Sequence, residues 1–265
     1  MNTKDVADSA AGHPERFVPH LMSGRMIEAE HRGRYWWASA LVSGKAVLDA
    51  ACGTGYGTSI LAGAGAASAV GIDRAAHVID FARTQAQHGA EFRVGDLLDI
   101  PFPDATFDVA VCFEAIEHVA MPEPALDELR RVLKPGGLLA ISSPNRDLYV
   151  GGNPHHHHEF APAELESALK ARFENVRLVR QHSWLTTAIL EDAAFASGDG
   201  AAFEGIVVHK VNAAQPGREA FTLALASDDA LPLPPARIVL GEDATIHAPW
   251  YARVRSRLYE LMHRR

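Results

Sequence analysis

Residues 47–57 read VLDAACGTGYG: a short apolar run, glycines at 53, 55 and 57, and then a stretch with helical pattern. No other stretch restricts the possible folds of this chain so strongly. Glycines directly after a strand let the backbone turn and approach a ligand closely, and the helix that follows presents N-terminal N–H groups to an anionic moiety. A second apolar run, SAVGID (68–73), ends in Asp73. From that position a carboxylate binds ribose hydroxyls at the switch point of an open sheet. A dinucleotide fingerprint needs a further glycine three residues after Gly55, and that position is Thr58.

The rest of the chain repeats this alternation. Strands are expected at 45–50, 68–73, 91–94, 107–113 and 137–143, with helices at 57–64, 75–87 and 123–133 between them. The last helix runs into LKPGG, where proline and glycine stop it and turn the chain into the next strand. Strands alternating with helices imply βαβ units and a parallel sheet, and nearly all-apolar strands imply cover on both faces. Beyond Asn145 the pattern predicts a helix at 162–171 and strands at 174–181 and 219–227, with an irregular segment, 184–218, expected to cover something. Residues 1–42 are expected to form an N-terminal helical cap, 43–228 the main domain, and 229–265 an extension ending in a basic helix.

A net charge of −8 excludes a protein that binds nucleic acid through its overall charge. The two cysteines, Cys52 and Cys112, lie in apolar strand-like contexts, so no disulfide framework is implied and a reducing cytoplasm is expected. The N-terminus lacks a signal-peptide core, no apolar run reaches bilayer length, and a homodimer is the default oligomer.

Taken in order, VLDAACGTGYG, GID (71–73), GDLLDIPFPDATFDVAVCFEAIEHV (95–119) and RVLKPGGLLAISSPN (131–145) resemble the class I S-adenosylmethionine-dependent methyltransferases over about residues 45–180. The chain departs from the family pattern at Ala51, where glycine is usual. The resemblance implies that Gly53 and Gly55 pack against the methionine part of S-adenosylmethionine, with Asp49 near its ammonium and Asp73 on the ribose. It places Asp96 and Leu97 at the adenine, and Phe113 and Glu114 near the transferred methyl. Residues 30–38, EHRGRYWWA, are expected to fold over the cofactor with Tyr35 or Arg34 reaching in, while Trp36 and Trp37 pack in the core. The expected fold is α/β: a Rossmann-like, doubly wound, seven-stranded, mostly parallel sheet with helices on both faces.

A sulfonium methyl is already activated, so the chain's task is to align an acceptor, exclude water and, for an aliphatic hydroxyl, deal with its proton. FEAIEHV places Glu114, Glu117 and His118 at offsets that share one face if the chain turns helical after the fourth strand. The run NPHHHHEF (153–160) lies in the loop after the fifth strand, at the same sheet edge, and at least two of its histidines are expected to face solvent. E-x-x-E-H with a later histidine resembles the metal site of the plant small-RNA terminal 2′-O-methyltransferases, and its first part resembles the ubiquinone-pathway O-methyltransferases. By that resemblance Glu114, Glu117, His118 and His156 hold Mg²⁺ or Mn²⁺. Two other readings stand beside it: His118 or His156 as a metal-free base, or a turn and loop without direct chemistry. Asn153, Pro154, His156 and Glu159 also resemble a segment of bacterial methyltransferases acting on glycans and glycolipids.

The expected function is O-methylation of a saccharide, glycolipid or glycosylated metabolite, with His156, His118 and Glu117 as catalytic residues. Alternative acceptors are a phenol or quinone-like compound, or a fatty acid sheltered by the apolar residues of 184–218. A non-catalytic scaffold using the basic tail, Arg253 to Arg265, ranks last.

Overall fold

The computed structural model describes residues 26–148, 153–183 and 218–239. The expected cap before Met26, nearly all of the covering segment and the basic C-terminal helix lie outside the described residues. The elements follow in order: α1 (Met26–Ala38), a 3₁₀ turn (Ser39–Leu41), β1 (Ala46–Ala50), α2 (Tyr56–Gly63), β2 (Ser68–Asp73), α3 (Ala76–Thr84), β3 (Glu91–Val94) and β4 (Phe107–Phe113). A second 3₁₀ turn (Ile116–His118) leads to α4 (Pro122–Val132), β5 (Leu133–Pro144), α5 (Pro162–Lys170), β6 (Asn175–Gln181) and β7 (Phe221–Ser227).

The seven strands form one sheet in the order β3-β2-β1-β4-β5-β7-β6. β1 to β5 pair in parallel, and β7 runs antiparallel between β5 and β6. The switch point lies between β1 and β4, where the strand order reverses, so ligands are expected outside the carboxyl ends of these strands.

Alternation along the strands sorts the core into two layers. Leu48, Ala110 and Cys112 face α4 and α5, packing with Leu126, Leu129, Leu165 and Leu169. Val47, Val109, Val111 and Phe113 face α1 and α2, packing with Tyr35, Trp37 and Leu61. Trp37 is thus a core residue, whereas Trp36, expected beside it in the core, is only half-buried, because successive helical residues point about 100° apart. A third, smaller cluster seats α3 through Ile79 and Ala82 against Cys52 and Phe92.

β5 begins earlier than the sequence implies. LKPGG is already strand, because Phe107 pairs with Leu133 while Val109 pairs with Leu138, and the extra residues form an irregularity in β5. Gly136 takes a φ of +72° there, with the Asp229 carboxylate where a Cβ would stand. No helix among the described residues is long and apolar enough to cross a membrane.

Candidate active site

The β1–α2 loop bends through three left-handed residues, with φ of +66° at Ala51, +54° at Gly53 and +81° at Gly55. The glycines serve different ends. A Cβ on Gly53 would meet nothing within 4 Å, so space is open above the loop for a ligand. A Cβ on Gly55 would stand 2.6 Å from the Phe92 ring, and one on Gly57 would stand 2.1 Å from Tyr35, so these two allow close packing. The Gly53 N–H donates to Asp73 Oδ2 at 3.2 Å, and the Ala75 N–H donates to Oδ1 at 2.9 Å. Two backbone donors thus fix the Asp73 carboxylate at the lip of the loop. After β3, Leu97 is buried beside the exposed Asp96, whose Oδ1 accepts the Leu98 N–H at 2.9 Å. Open space over Gly53, a tethered acid at the end of β2 and an apolar residue after β3 together suit a nucleoside with a polar tail.

Asp49 lies one layer lower, with no solvent exposure. Alternation along β1 turns it to the same face as Val47. There Tyr35 of α1 donates to Oδ1 at 3.0 Å and Thr58 of α2 donates to Oδ2 at 2.6 Å. Burial pushes its pKa up to about 7, against the pull of these two hydroxyls. Tyr35 therefore closes over Asp49, its ring edge-on to Tyr56 and Phe113 at 5.4 and 5.2 Å between centroids. Thr58, seen in the sequence only as a missing glycine, is a partner of this acid. A hydroxyl in the first turn after the loop was the available signal.

At the carboxyl end of β4, Glu114 takes a φ of +50°. That left-handed step breaks the alternation and sends its carboxylate towards β5 and α1. Ser142 Oγ donates to Oε1 at 2.7 Å, and Arg34 Nη2 lies 3.9 Å from Oε2. Arg34 is fully buried over the Phe221 ring and donates to Gln181 Oε1 at 2.7 Å, while its Nε and Nη2 make no hydrogen bond. Ser142 carried no signal in the sequence, because it reads as one more small strand residue.

The 3₁₀ turn then delivers Glu117 and His118 to a different place from Glu114. Ligand-type atoms of Glu117, His118 and His156 lie within 4.8 Å of one another. Glu114 is not among them, so the expected four-residue cluster is corrected to three. The reason is the handedness of one backbone step, which residue spacing does not reveal. Burial, and then the Glu114 carboxylate, raise the pKa of Glu117 well above the usual carboxylate range. The histidine run is tied to this turn, since the N–H groups of His157 and His158 both donate to the Glu117 carbonyl, at 2.7 and 3.2 Å. His157 is exposed, whereas His155, His156 and His158 are half-buried, so fewer of the four face open water than expected.

A family model described as "Methyltransferase domain" matches residues 48–141. A probable S-adenosylmethionine-dependent methyltransferase of Mycolicibacterium smegmatis is 34% identical over 166 residues, covering 60% of this chain and 64% of its own length. The chain spans about three-fifths of the length of this and similar mycobacterial relatives. A ubiquinone biosynthesis O-methyltransferase of Xylella fastidiosa is 33% identical over 177 residues, covering 57% of this chain and 70% of its own. Among solved structures, a possible histamine N-methyltransferase of Thermotoga maritima superposes with a TM-score of 0.59 at 18% identity, over 86% of this chain and all of its own, a likeness of fold.

Proposed function

The chain belongs to the S-adenosylmethionine-dependent methyltransferases, and from that premise we propose that it moves a methyl group onto a hydroxyl of a saccharide, glycolipid or glycosylated metabolite. When bound, S-adenosylmethionine supplies an electrophilic methyl on a sulfonium. Everything else falls to the chain's own residues. Gly53 gives the cofactor's tail close access to the backbone, Asp73 holds the ribose hydroxyls, and Asp96 and Leu97 border the adenine. Tyr35, packed on Asp49 and Phe113, closes the crevice from the α1 side and excludes water.

One observation carries the choice of a hydroxyl acceptor: Glu117, His118 and His156 converge just beyond the carboxyl end of β4. An aliphatic hydroxyl keeps its proton at neutral pH, so its methylation needs a group that takes or displaces that proton, as a base or through an ion. The saccharide class is favoured by the unit formed by Asn153, His156 and Glu159. Here His156 meets Glu159 Oε1 at 2.6 Å and Asn153 Nδ2 at 2.9 Å, and the same three residues carry the resemblance to glycan methyltransferases. A phenol or quinone-like acceptor is the second reading, favoured by the name of the Xylella fastidiosa relative.

Calorimetric titration with S-adenosylhomocysteine tests the cofactor, with one equivalent expected to bind. Turnover of methyl-tritiated cofactor against sugars, glycolipids, phenols and fatty acids then tests the acceptor. Label in an alkali-stable sugar ether is the expected product. Absence of cofactor binding discards the activity, and label confined to a phenol ether or a labile ester moves the acceptor to that class.

A further inference from the structure

We infer that Glu117, His118 and His156 are the three protein ligands of a divalent-metal site whose donor set, two imidazoles and one carboxylate, selects Mn²⁺, Fe²⁺, Co²⁺ or Zn²⁺ over Mg²⁺. The geometry that points there is independent of any cofactor. The three ligand atoms lie within 4.8 Å of one another, close enough to share one ion.

Glu117 supplies the second observation. The residue is 1% exposed, and its Oε2 has no hydrogen-bond partner. A buried carboxylate oxygen left unsatisfied costs about 1–3 kcal/mol or more, a debt that a cation beside it would cancel.

The histidines are prepared for the same role. His118 Nδ1 lies 3.1 Å from the His155 carbonyl, which can only accept, so Nδ1 carries the proton and Nε2 the lone pair. His156 Nδ1 lies 2.6 Å from Glu159 Oε1, which makes Nε2 the lone-pair atom there too. A carbonyl and a carboxylate behind two imidazoles is the outer-shell arrangement that orients metal-binding histidines and raises their basicity. The rings meet edge to face, 4.9 Å between centroids. The backbone holds the constellation together, because the Glu117 carbonyl accepts from both His157 and His158. One bond must give way: the Asn153 amide, 2.9 Å from His156 Nε2, has to turn aside when an ion takes that nitrogen.

The donor set changes the metal expected from the sequence. With Glu114 turned to Ser142 and Arg34, the oxygen-rich shell that suits Mg²⁺ is replaced by imidazole nitrogen, which Mg²⁺ takes poorly and the later transition ions take well. Three protein ligands leave coordination positions for an oxygen of the acceptor. That last role rests on the methyl-transfer reading, whereas ion binding does not.

The test is calorimetric titration of the chelator-stripped full chain with ZnCl₂, MnCl₂ and MgCl₂ in turn, beside titration with S-adenosylhomocysteine. One equivalent of Zn²⁺ is expected to bind, Mn²⁺ more weakly, and Mg²⁺ without saturation at millimolar concentration. His118→Ala and Glu117→Gln should each weaken Zn²⁺ by at least about 100-fold, since losing even an outer-shell partner costs about 10–100-fold, while leaving S-adenosylhomocysteine affinity within about threefold as proof of folding. His157→Ala, on the exposed histidine, should leave Zn²⁺ affinity unchanged. Absence of stoichiometric Zn²⁺ and Mn²⁺ binding in a chain that binds S-adenosylhomocysteine overturns the site. So does Zn²⁺ binding that survives His118→Ala but is lost with His157→Ala, the signature of a simple histidine run. Zn²⁺ binding without S-adenosylhomocysteine binding upholds the site and removes the methyl-transfer reading.

Discussion

Ala51 sits at φ +66° in the loop that defines the cofactor side. An L-residue there costs roughly 1–2 kcal/mol, and a glycine would recover most of it while adding at most about 1 kcal/mol of unfolded-state entropy. Ala51→Gly is therefore expected to raise the melting temperature by about 1–3 °C, read by thermal denaturation, with S-adenosylhomocysteine affinity unchanged. Asp49 gives a second expectation at this scale. Folded, it keeps its proton to about pH 7; unfolded, it releases it near 3.8. Between these values the folded chain holds the extra proton, so this residue's contribution to stability is lost as the pH rises through the window. The full effect is on the order of 4 kcal/mol. Asp49→Asn removes the titration. Melting both proteins at pH 5 and pH 8 should move the difference in the variant's favour by roughly 5–10 °C at the higher pH. A difference that does not move with pH would show that Asp49 is already ionised in the folded state.

Among elements, α1 and α2 meet where Gly57 leaves room for Tyr35. Alanine normally improves a helix by about 1 kcal/mol over glycine. Here its Cβ would stand 2.1 Å from a ring boxed in by Tyr56 and Phe113, and overpacking of that kind costs about 1–3 kcal/mol. The clash should win: Gly57→Ala lowers the melting temperature and weakens S-adenosylhomocysteine binding at least about tenfold by displacing Tyr35 from Asp49. Calorimetry on the variant checks both. The parallel sheet was legible because strands buried on both faces must be apolar, and loops between strand and helix need glycine, so VLDAACGTGYG and FDVAVCF declared themselves. The start of β5 was not, because LKPGG reads as a stop until its pairing with Phe107 is known. Glu114 was misplaced for a related reason. Offsets of three and four residues presuppose a helix, and a single left-handed step followed by a three-residue turn sends it to Ser142 while Glu117 and His118 go to His156. The alignment of His156 against the turn was legible, but the tethering of the loop by backbone bonds to Glu117 was not, since no side chain records it.

For the whole molecule, burial divides the sheet into a rigid centre and softer margins. β1 and β4 are buried almost throughout and β5 over its second half, whereas at the two edges β3 is exposed except at Phe92 and β6 is half-exposed or exposed along its length. Amide exchange should accordingly be slowest in β1, β4 and the second half of β5, and faster in β3 and β6. Gly53, Asp73, Glu114 and Glu117 lie at or just beyond the carboxyl ends of β1, β2 and β4, so the cofactor crevice rests on β1 and β2 and the histidine cluster on β4 and β5, neighbouring strands of one sheet. A ligand that binds only the folded chain adds stability where it touches, about 2.7 kcal/mol at a hundredfold excess over its Kd. S-adenosylhomocysteine should therefore slow exchange at residues 51–55 and 74–76, the amides that line the loop and the end of β2. It should leave β6 and β7, on the far side of β5, nearly as they were. Zn²⁺ should do the converse, slowing residues 116–119 and 155–159 without touching 51–55. Exchange measured with each ligand alone separates the two. Protection by S-adenosylhomocysteine that centred on β6 and β7 would place the cofactor on the other half of the sheet, against every feature of the β1–α2 loop.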